Sequence, residues 1–289
     1  MHQMITGHTR LTAVLGSPIT HSISPAMHNE AFRVLGLDYA YLAFEVDEHN
    51  FEPVIEGLKA MNVKGFNCTM PLKRLMYEKA DELSDTAQIV NAVNTVLYED
   101  GKLKGHNTDG YGFMQSIRDT GFDYVGKEMT MLGSGGAASA IMAQAALDGI
   151  THLHIFSRPG SSSTACLKEE AVRMKAFTPC KVSFYDLQDL TALRQCLAAS
   201  AVLTNASSVG MAPHNEGCLI PDSSYLHPDM LVADVIYNPR VTQLMAMGRE
   251  IGCPTMNGLY MLLHQGAKAF EIWTGQQMPV EHIRSLYFK

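Results

Sequence analysis

Two side chains in this sequence are suited to moving a proton, Lys73 and Asp109. A lysine ammonium ordinarily titrates near 10.4 and is a poor base at neutral pH. Partial burial and a helix N-terminus lower that value, whereas a carboxylate partner raises it and fixes the geometry. If the two residues meet, the pair passes a proton to or from an alcohol oxygen. Taken singly, Lys73 reads as a solvated lysine and Asp109 as a helix N-cap. Polar side chains cluster at neighbouring element ends. Asn67 and Thr69 lie in GFNCTMPLK, and Asn94 and Asn107 supply amides able to hold hydroxyls. Ser22 and Ser24 precede Pro25 at a helix start, a natural carboxylate site or simple capping.

A glycine-rich turn, GSGGAA, carries the second chemistry. The motif counts only where it follows a strand and opens a helix, and here MTML precedes it and a small-residue helix follows. Gly133 permits the tight turn, Gly135 lets the backbone approach a pyrophosphate, and Ala138 at the third position allows close helix–strand packing. The N–H groups of Gly133, Ser134, Gly135, Gly136 and Ala137, with the helix dipole, favour the anion. An ordinary glycine turn ranks below dinucleotide binding in this context. A unit for NAD places Asp or Glu at the end of the next strand. That run is IFSRPG, with Ser157 and Arg158 and no carboxylate. Arg158 suits a 2′-phosphate or an adenine face, or is a solvated loop residue, so the site leans towards NADP over NAD.

The elements that must position these groups follow from pattern. An apolar run at 63–66 reads as a strand, and Pro71 ends it, since proline cannot sit in a central strand. A helix then follows Lys73. Upstream, Ser24 as N-cap and Pro25 as first helical residue open a helix with Met27, Ala31, Val34 and Leu35 on one face. Ala40, Leu42, Phe44 and Val46 alternate, giving a second strand. Asp100-Gly101 marks a hairpin, which closes a βαβαβ-type unit at its edge. A second unit starts near Lys127, and its alternating strands and helices argue for a parallel sheet. Within it, PGSSST at 159–164 reads as a flexible loop. A last helix carries Leu262, Leu263, Phe270 and Trp273.

Composition bounds the class. The 289 residues suffice for two domains, and 46% hydrophobic with 18% charged residues is a globular composition. A net charge of −7 with no basic cluster argues against nucleic acid as a partner. No apolar run approaches the roughly 18 residues of a membrane span. Six cysteines without a C-x-x-C pair read as reduced thiols, and MHQMITGHTR lacks an apolar leader core, so a cytoplasmic location is expected. None of the 12 histidines falls in H-E-x-x-H or beside a cysteine pair, so sequence spacing gives no support for a metal site.

HSISPAMHN, NCTMPLK, AVNT, HNTDGYG, GSGGAA, NASSVGM and GLYMLLHQGAKAFEIWTG, in this order, resemble shikimate dehydrogenases, more narrowly the quinate/shikimate dehydrogenase branch. The resemblance implies an α/β chain with an N-terminal α/β substrate domain, a Rossmann-like dinucleotide-binding domain and a cleft between them. Residues 1–110 and 258–289 then form the substrate domain, and 111–257 the NAD(P) domain. It implies reversible oxidation of the 3-hydroxyl of shikimate, and of quinate, with NADP or NAD taking the hydride. By motif match Lys73 and Asp109 are the catalytic pair, and Ser22 and Ser24 bind the substrate carboxylate. Thr69 lies close to that carboxylate and Tyr237 reaches in, Asn67, Asn94, Asn107 and Gln265 address the ring hydroxyls or shape the pocket, and Gly258 joins the cofactor positions. A homodimer is expected from the branch alone. Two departures stand out: Asn91 replaces a usual glycine, and Ser157-Arg158-Pro159-Gly160 lacks the Asp that favours NAD in this branch. The rival readings are a non-catalytic sensor of shikimate-like acids on the same fold and an amino-shikimate dehydrogenase. A folate dehydrogenase is disfavoured by Ser22 and Ser24 beside the Lys73/Asp109 pair.

Overall fold

A computed structural model of the chain describes residues 5–288. Met1–Met4, which begin the stretch read as leaderless, and Lys289 lie outside the described residues. The chain divides into two compact units, one of residues 1–108 with 263–289 and the other of residues 109–262. Among the described residues no helix is long and apolar enough to cross a membrane.

The first unit runs β1 (Arg10–Gly16), α1 (Ser24–Leu35), β2 (Tyr39–Glu45), α2 (Phe51–Ala60), β3 (Gly65–Cys68), α3 (Lys73–Lys79), β4 (Glu82–Leu83), α4 (Asp85–Val90), β5 (Thr95–Glu99) and β6 (Lys102–His106). These make one mixed sheet in the order β2-β1-β3-β5-β6-β4. Strands β1, β2 and β3 are parallel, and β5 runs antiparallel to both β3 and β6. Asp100 and Gly101 both take positive φ, 54° and 76°, as a two-residue hairpin of the right twist requires. That hairpin is not the sheet edge, because the two-residue β4 pairs parallel to β6 beyond it.

Alternation divides β3 between two environments. Phe66 and Cys68 enter a core with Ala13, Leu15, Ile55, Leu58, Leu72 and Met76, which leaves Asn67 and Thr69 on the opposite face. The strand lies two residues later than the apolar run suggested, at Gly65–Cys68. A Cβ at Gly65 would collide with the Trp273 indole and the Val96 carbonyl, and Trp273 Nε1 donates to that carbonyl at 2.9 Å.

Three local expectations are corrected. Helix α1 begins at Ser24 itself, with Ile23 at the cap position and no side-chain cap; the Ser22 hydroxyl accepts the Ser24 N–H at 3.3 Å. Burial in β2 does not alternate: Tyr41 is fully buried, Leu42 and Phe44 are 48% and 39% exposed, and Ala43 between them is exposed as well. Leu42 and Phe44 stand in register with the buried Ala13 and Leu15, but one strand further out, at the open edge of the sheet. The stretch 159–164 is not a loop throughout, because a helix starts at Ser162.

The second unit begins with α5 (Asp109–Asp119) and continues β7 (Glu128–Leu132), α6 (Gly136–Leu147), β8 (His152–Ser157), α7 (Ser162–Met174), β9 (Lys181–Asp186), α8 (Leu190–Ala199), β10 (Val202–Asn205), β11 (Leu231–Asp234), α9 (Gln243–Glu250) and β12 (Thr255–Met256). Its strands are all parallel, in the order β12-β11-β10-β7-β8-β9. Counted within the unit and read from the other edge this is 3-2-1-4-5-6, the doubly wound order whose switch point, between β7 and β10, is where ligands bind. Helix α5 packs closely on α6, since a Cβ at Gly110 would fall on the Ala140 carbonyl oxygen. Two helices close the chain, α10 (Leu259–Thr274), within which the unit boundary falls, and α11 (Val280–Tyr287).

Candidate active site

At the switch point of the second sheet lies a cavity of about 730 Å³. Gly133, Ser134, Gly135, Gly136 and Ala137 form one wall, Ser157 and Arg158 at the end of β8 another, and residues 206–209 after β10 a third. Gly133 needs its glycine: φ is +117°, and a Cβ there would press on the Ala206 carbonyl at 2.9 Å. Gly135 and Gly136 face open space, with nothing within 4 Å of where a Cβ would stand. Ala138 is fully buried, which seats α6 against the sheet.

Hydroxyls brace this turn. Ser134 Oγ lies 3.1 Å from Ser163 Oγ and accepts from Thr164 Oγ1 at 3.0 Å, and Ser161 Oγ lies 2.7 Å from Ser163 Oγ. The start of α7 is thus tied to the glycine turn, and Ser161 and Ser163 line the cavity. Under the third wall Asn205, Asp234 and Thr242 form a buried network. Asn205 Nδ2 donates to the Asp234 carboxylate at 3.1 and 3.2 Å, and Thr242 Oγ1 donates at 2.8 Å. Asn205 Oδ1 accepts from Ser207 N and Oγ at 3.1 and 2.7 Å, which holds the 206–209 turn in place. Burial pushes the Asp234 carboxyl up, against the pull of its hydrogen bonds.

These residues fit a dinucleotide. The open approach at Gly135 and Gly136, the N-terminus of α6 and the exposed Arg158 supply space, amide donors and a cation in one cavity. Tyr237, 54% exposed, lines this same cavity. Gly258 is not among the lining residues. Its backbone lies against Val235 and its N–H donates to the Ile236 carbonyl at 3.0 Å, so it supports the wall from behind.

In the first unit Tyr41, Asn67, Asn94, Thr95 and Thr108 form one hydrogen-bonded chain. Tyr41 Oη donates to Asn67 Oδ1 at 2.6 Å, and the Ser24 side chain hydrogen-bonds the same tyrosine. Asn67 Nδ2 donates to the Asn94 carbonyl at 3.1 Å and to Thr95 Oγ1 at 2.9 Å. Asn94 Oδ1 accepts from Thr108 N at 2.9 Å and from Thr95 Oγ1 at 3.0 Å. Asn107 Nδ2 donates to the Ala92 carbonyl at 3.0 Å. Thr69 sits where a Cβ on Gly16 would meet its methyl group. Lys73, half-buried, is the first residue of α3; its carbonyl accepts the Val93 N–H at 2.9 Å, and its charge acts on the buried Cys68 thiol.

Tyr41 was not singled out by pattern, yet it links Ser24 to Asn67. Its ring stacks on His28 at 4.4 Å with an 8° interplanar angle. Burial raises the Tyr41 pKa well above the ordinary phenol value, so the hydroxyl stays a donor. His28 is itself fully buried, with neither ring nitrogen hydrogen-bonded among the described residues, and burial lowers its pKa to about 3. Gln265 lies in α10 beside Gly266, where a Cβ would press on Met27. Asp109 is the first residue of α5 and places its charge in the first turn rather than at the cap. It belongs to the second unit and Lys73 to the first.

Residues 14–96 match the family model of the shikimate dehydrogenase substrate binding domain, and 258–286 that of the shikimate 5′-dehydrogenase C-terminal domain. The shikimate dehydrogenase (NADP+) of Listeria monocytogenes serotype 4b is 46% identical over 99% of this chain and 98% of its own. A crystal structure of shikimate 5-dehydrogenase from Listeria monocytogenes in complex with shikimate and NAD is 46% identical, with a TM-score of 0.95 and 99% of both chains covered. A shikimate dehydrogenase in complex with NADP+ is 36% identical, with a TM-score of 0.82 over 98% of this chain and 96% of its own. With its sheet order, its glycine turn and a relative this similar from end to end, the chain belongs to the shikimate dehydrogenase family.

Proposed function

We propose that this chain catalyses the reversible NAD(P)-dependent oxidation of the 3-hydroxyl of shikimate to 3-dehydroshikimate, with quinate as a second substrate. The carrying observation is the 46% identity, at a TM-score of 0.95, to a dehydrogenase solved with shikimate and NAD. A bound nicotinamide supplies the hydride acceptor. We assign to Lys73 the proton that leaves the hydroxyl oxygen as the carbonyl forms, and the return of that proton in the reductive direction. Asp109 takes the second catalytic role. Ser22 and Ser24, at the amino end of α1, bind the substrate carboxylate. Asn67, Thr69, Asn94, Asn107, Tyr237 and Gln265 orient the ring; Asn67 keeps one lone pair on Oδ1 beyond the bond from Tyr41. On the cofactor side the assignment is Gly133, Ser134, Gly135, Gly136, Ala137, Ser157, Arg158 and Gly258. Fixed placement of alcohol and hydride acceptor, with no covalent intermediate, is what lowers the barrier.

The reading carries a soluble cytoplasmic enzyme and a homodimer, for which the exposed Leu42 and Phe44 on edge strand β2 offer a surface. An absorbance assay crossing shikimate and quinate with NADP and NAD tests the activity. Turnover with shikimate is expected. Absence of turnover in all four combinations, with cofactor binding retained, would overturn it in favour of a sensor.

A further inference from the structure

The amino end of the second sheet carries a cluster that the dehydrogenase reaction does not use. His152 and His154 are two apart on β8 and so project from the same face. Glu128 begins β7 and stands in register with His152. Register therefore brings a carboxylate and two imidazoles together, although the sequence separates them by more than twenty residues. Glu128 Oε2 lies 2.8 Å from His154 Nε2 and 3.9 Å from His152 Nδ1. The three ligand atoms all fall within 4.8 Å of one another.

The far side of each ring is held as well. His152 Nε2 lies 2.8 Å from Ser183 Oγ, and His154 Nδ1 lies 3.4 Å from Tyr185 Oη, both on β9. Each imidazole thus has one nitrogen turned to Glu128 and the other to a hydroxyl. Metal-binding histidines are commonly oriented in this way by a partner on the second nitrogen. A plain Glu–His hydrogen bond accounts for one ring; it does not account for the second ring turned to the same carboxylate and braced behind.

We infer that Glu128, His152 and His154 form a binding site for a divalent transition metal of the Zn²⁺ class, linking β7 to β8 in the cofactor-binding unit. Two imidazoles and a carboxylate suit a borderline ion such as Zn²⁺ or Ni²⁺ better than Mg²⁺ or Ca²⁺, which favour all-oxygen shells. Bonds of about 2.0–2.1 Å in a tetrahedral shell separate ligand atoms by about 3.3 Å. The two spacings to Glu128, 2.8 Å and 3.9 Å, bracket that value, and the two imidazole nitrogens lie within 4.8 Å of each other. In the metal-bound form His154 would ligate through Nε2 with its one ring proton moved to Nδ1, and His152 through Nδ1 with its ring proton on Nε2, with water as the fourth ligand. The site lies at the opposite end of β8 from Ser157, about 16 Å away at strand rise, so it does not compete with the dinucleotide.

Calorimetric titration of EDTA-treated full-length protein with Zn²⁺, paired with the visible spectrum of the Co²⁺ form, tests this. One equivalent per chain is expected, with an intense visible band of low-symmetry Co²⁺. Glu128→Gln keeps a hydrogen-bonding side chain beside His154 but removes the anionic ligand, and should weaken binding at least tenfold. His152→Asn should abolish the band. Ser183→Ala, which touches no ligand atom, should weaken binding by about tenfold through ring orientation. Absence of one-equivalent binding, or binding unchanged in both Glu128→Gln and His152→Asn, would overturn the site. Melting curves in EDTA establish that each variant is folded before titration.

Discussion

The Tyr41 hydroxyl donates directly to Asn67 Oδ1 at 2.6 Å, and both side chains are buried. This bond couples edge strand β2 to β3, whose C-terminal end leads into the helix that opens with Lys73. Tyr41→Phe leaves Asn67 Oδ1 short of a donor in a buried place, which costs about 1–3 kcal/mol. A lower melting temperature and a raised KM for shikimate are expected, with kcat less affected. A KM equal to wild type would separate Tyr41 from the substrate site.

Lys73→Ala should lower kcat by roughly 10²- to 10⁴-fold, the usual worth of a positioned acid/base, with KM for shikimate changed only a few-fold. Steady-state kinetics in both directions check this. Near-normal turnover would remove Lys73 from proton transfer.

Arg158→Ala addresses cofactor choice. The end of β8 offers this cation to the cavity and no carboxylate of its own. KM for NADP should rise at least tenfold while that for NAD moves little, as expected for a guanidinium on a 2′-phosphate. Equal losses with both cofactors would place Arg158 on the adenine face instead.

Stability should vary with pH through two groups of opposite sign. Glu170, on α7, accepts from Ser139 Oγ at 2.5 Å, and burial raises its pKa from 4.5 to about 7. The folded chain therefore holds a proton that the unfolded chain releases between those values. This contribution is whole below pH 4.5 and is lost as pH rises through 7. Glu170→Gln should melt above wild type at pH 8, by at most about 3 kcal/mol, and close to it at pH 4.5.

His28 acts at the acid end. Its pKa falls from 6.5 to about 3 in the fold, so the unfolded chain takes up the extra proton. The contribution is whole above pH 6.5 and is lost as pH falls towards 3. His28→Phe keeps a ring against Tyr41 and should be more stable than wild type at pH 5, by about 2 kcal/mol. Parallel acid melts that stay superimposed would show that His28 does not titrate in this range.

What sequence made legible was what local chemistry fixes. Asp100-Gly101 can be read as a hairpin because few residue pairs tolerate two positive φ values. GSGGAA can be read because a strand, a left-handed glycine and a small-residue helix must succeed one another. Tyr41 could not be read. Period-two alternation groups Leu42 with Phe44, and the Tyr41 ring is covered by His28 from α1 and by Trp273 from the far end of the chain. The start of α7 was hidden because serines that suit a loop serve equally well where they bond Ser134. The Asn205–Asp234–Thr242 network left only a faint trace, polar residues at the ends of two apolar strands. Glu128 joins its histidines through register, which no linear spacing encodes.

The close approach at Gly110 makes Asp109 and the glycine turn parts of one rigid lever. A Cβ at Gly110 would meet the Ala140 carbonyl and, at 2.7 Å, the Gln144 Cβ, both on α6. The carboxylate stands one residue from this fulcrum, and α6 starts one helical turn from it. Any bulk added at Gly110 would pry the two helices apart and shift Asp109 relative to the glycine turn. The placement of Asp109 against α6 is therefore set by a missing methyl group.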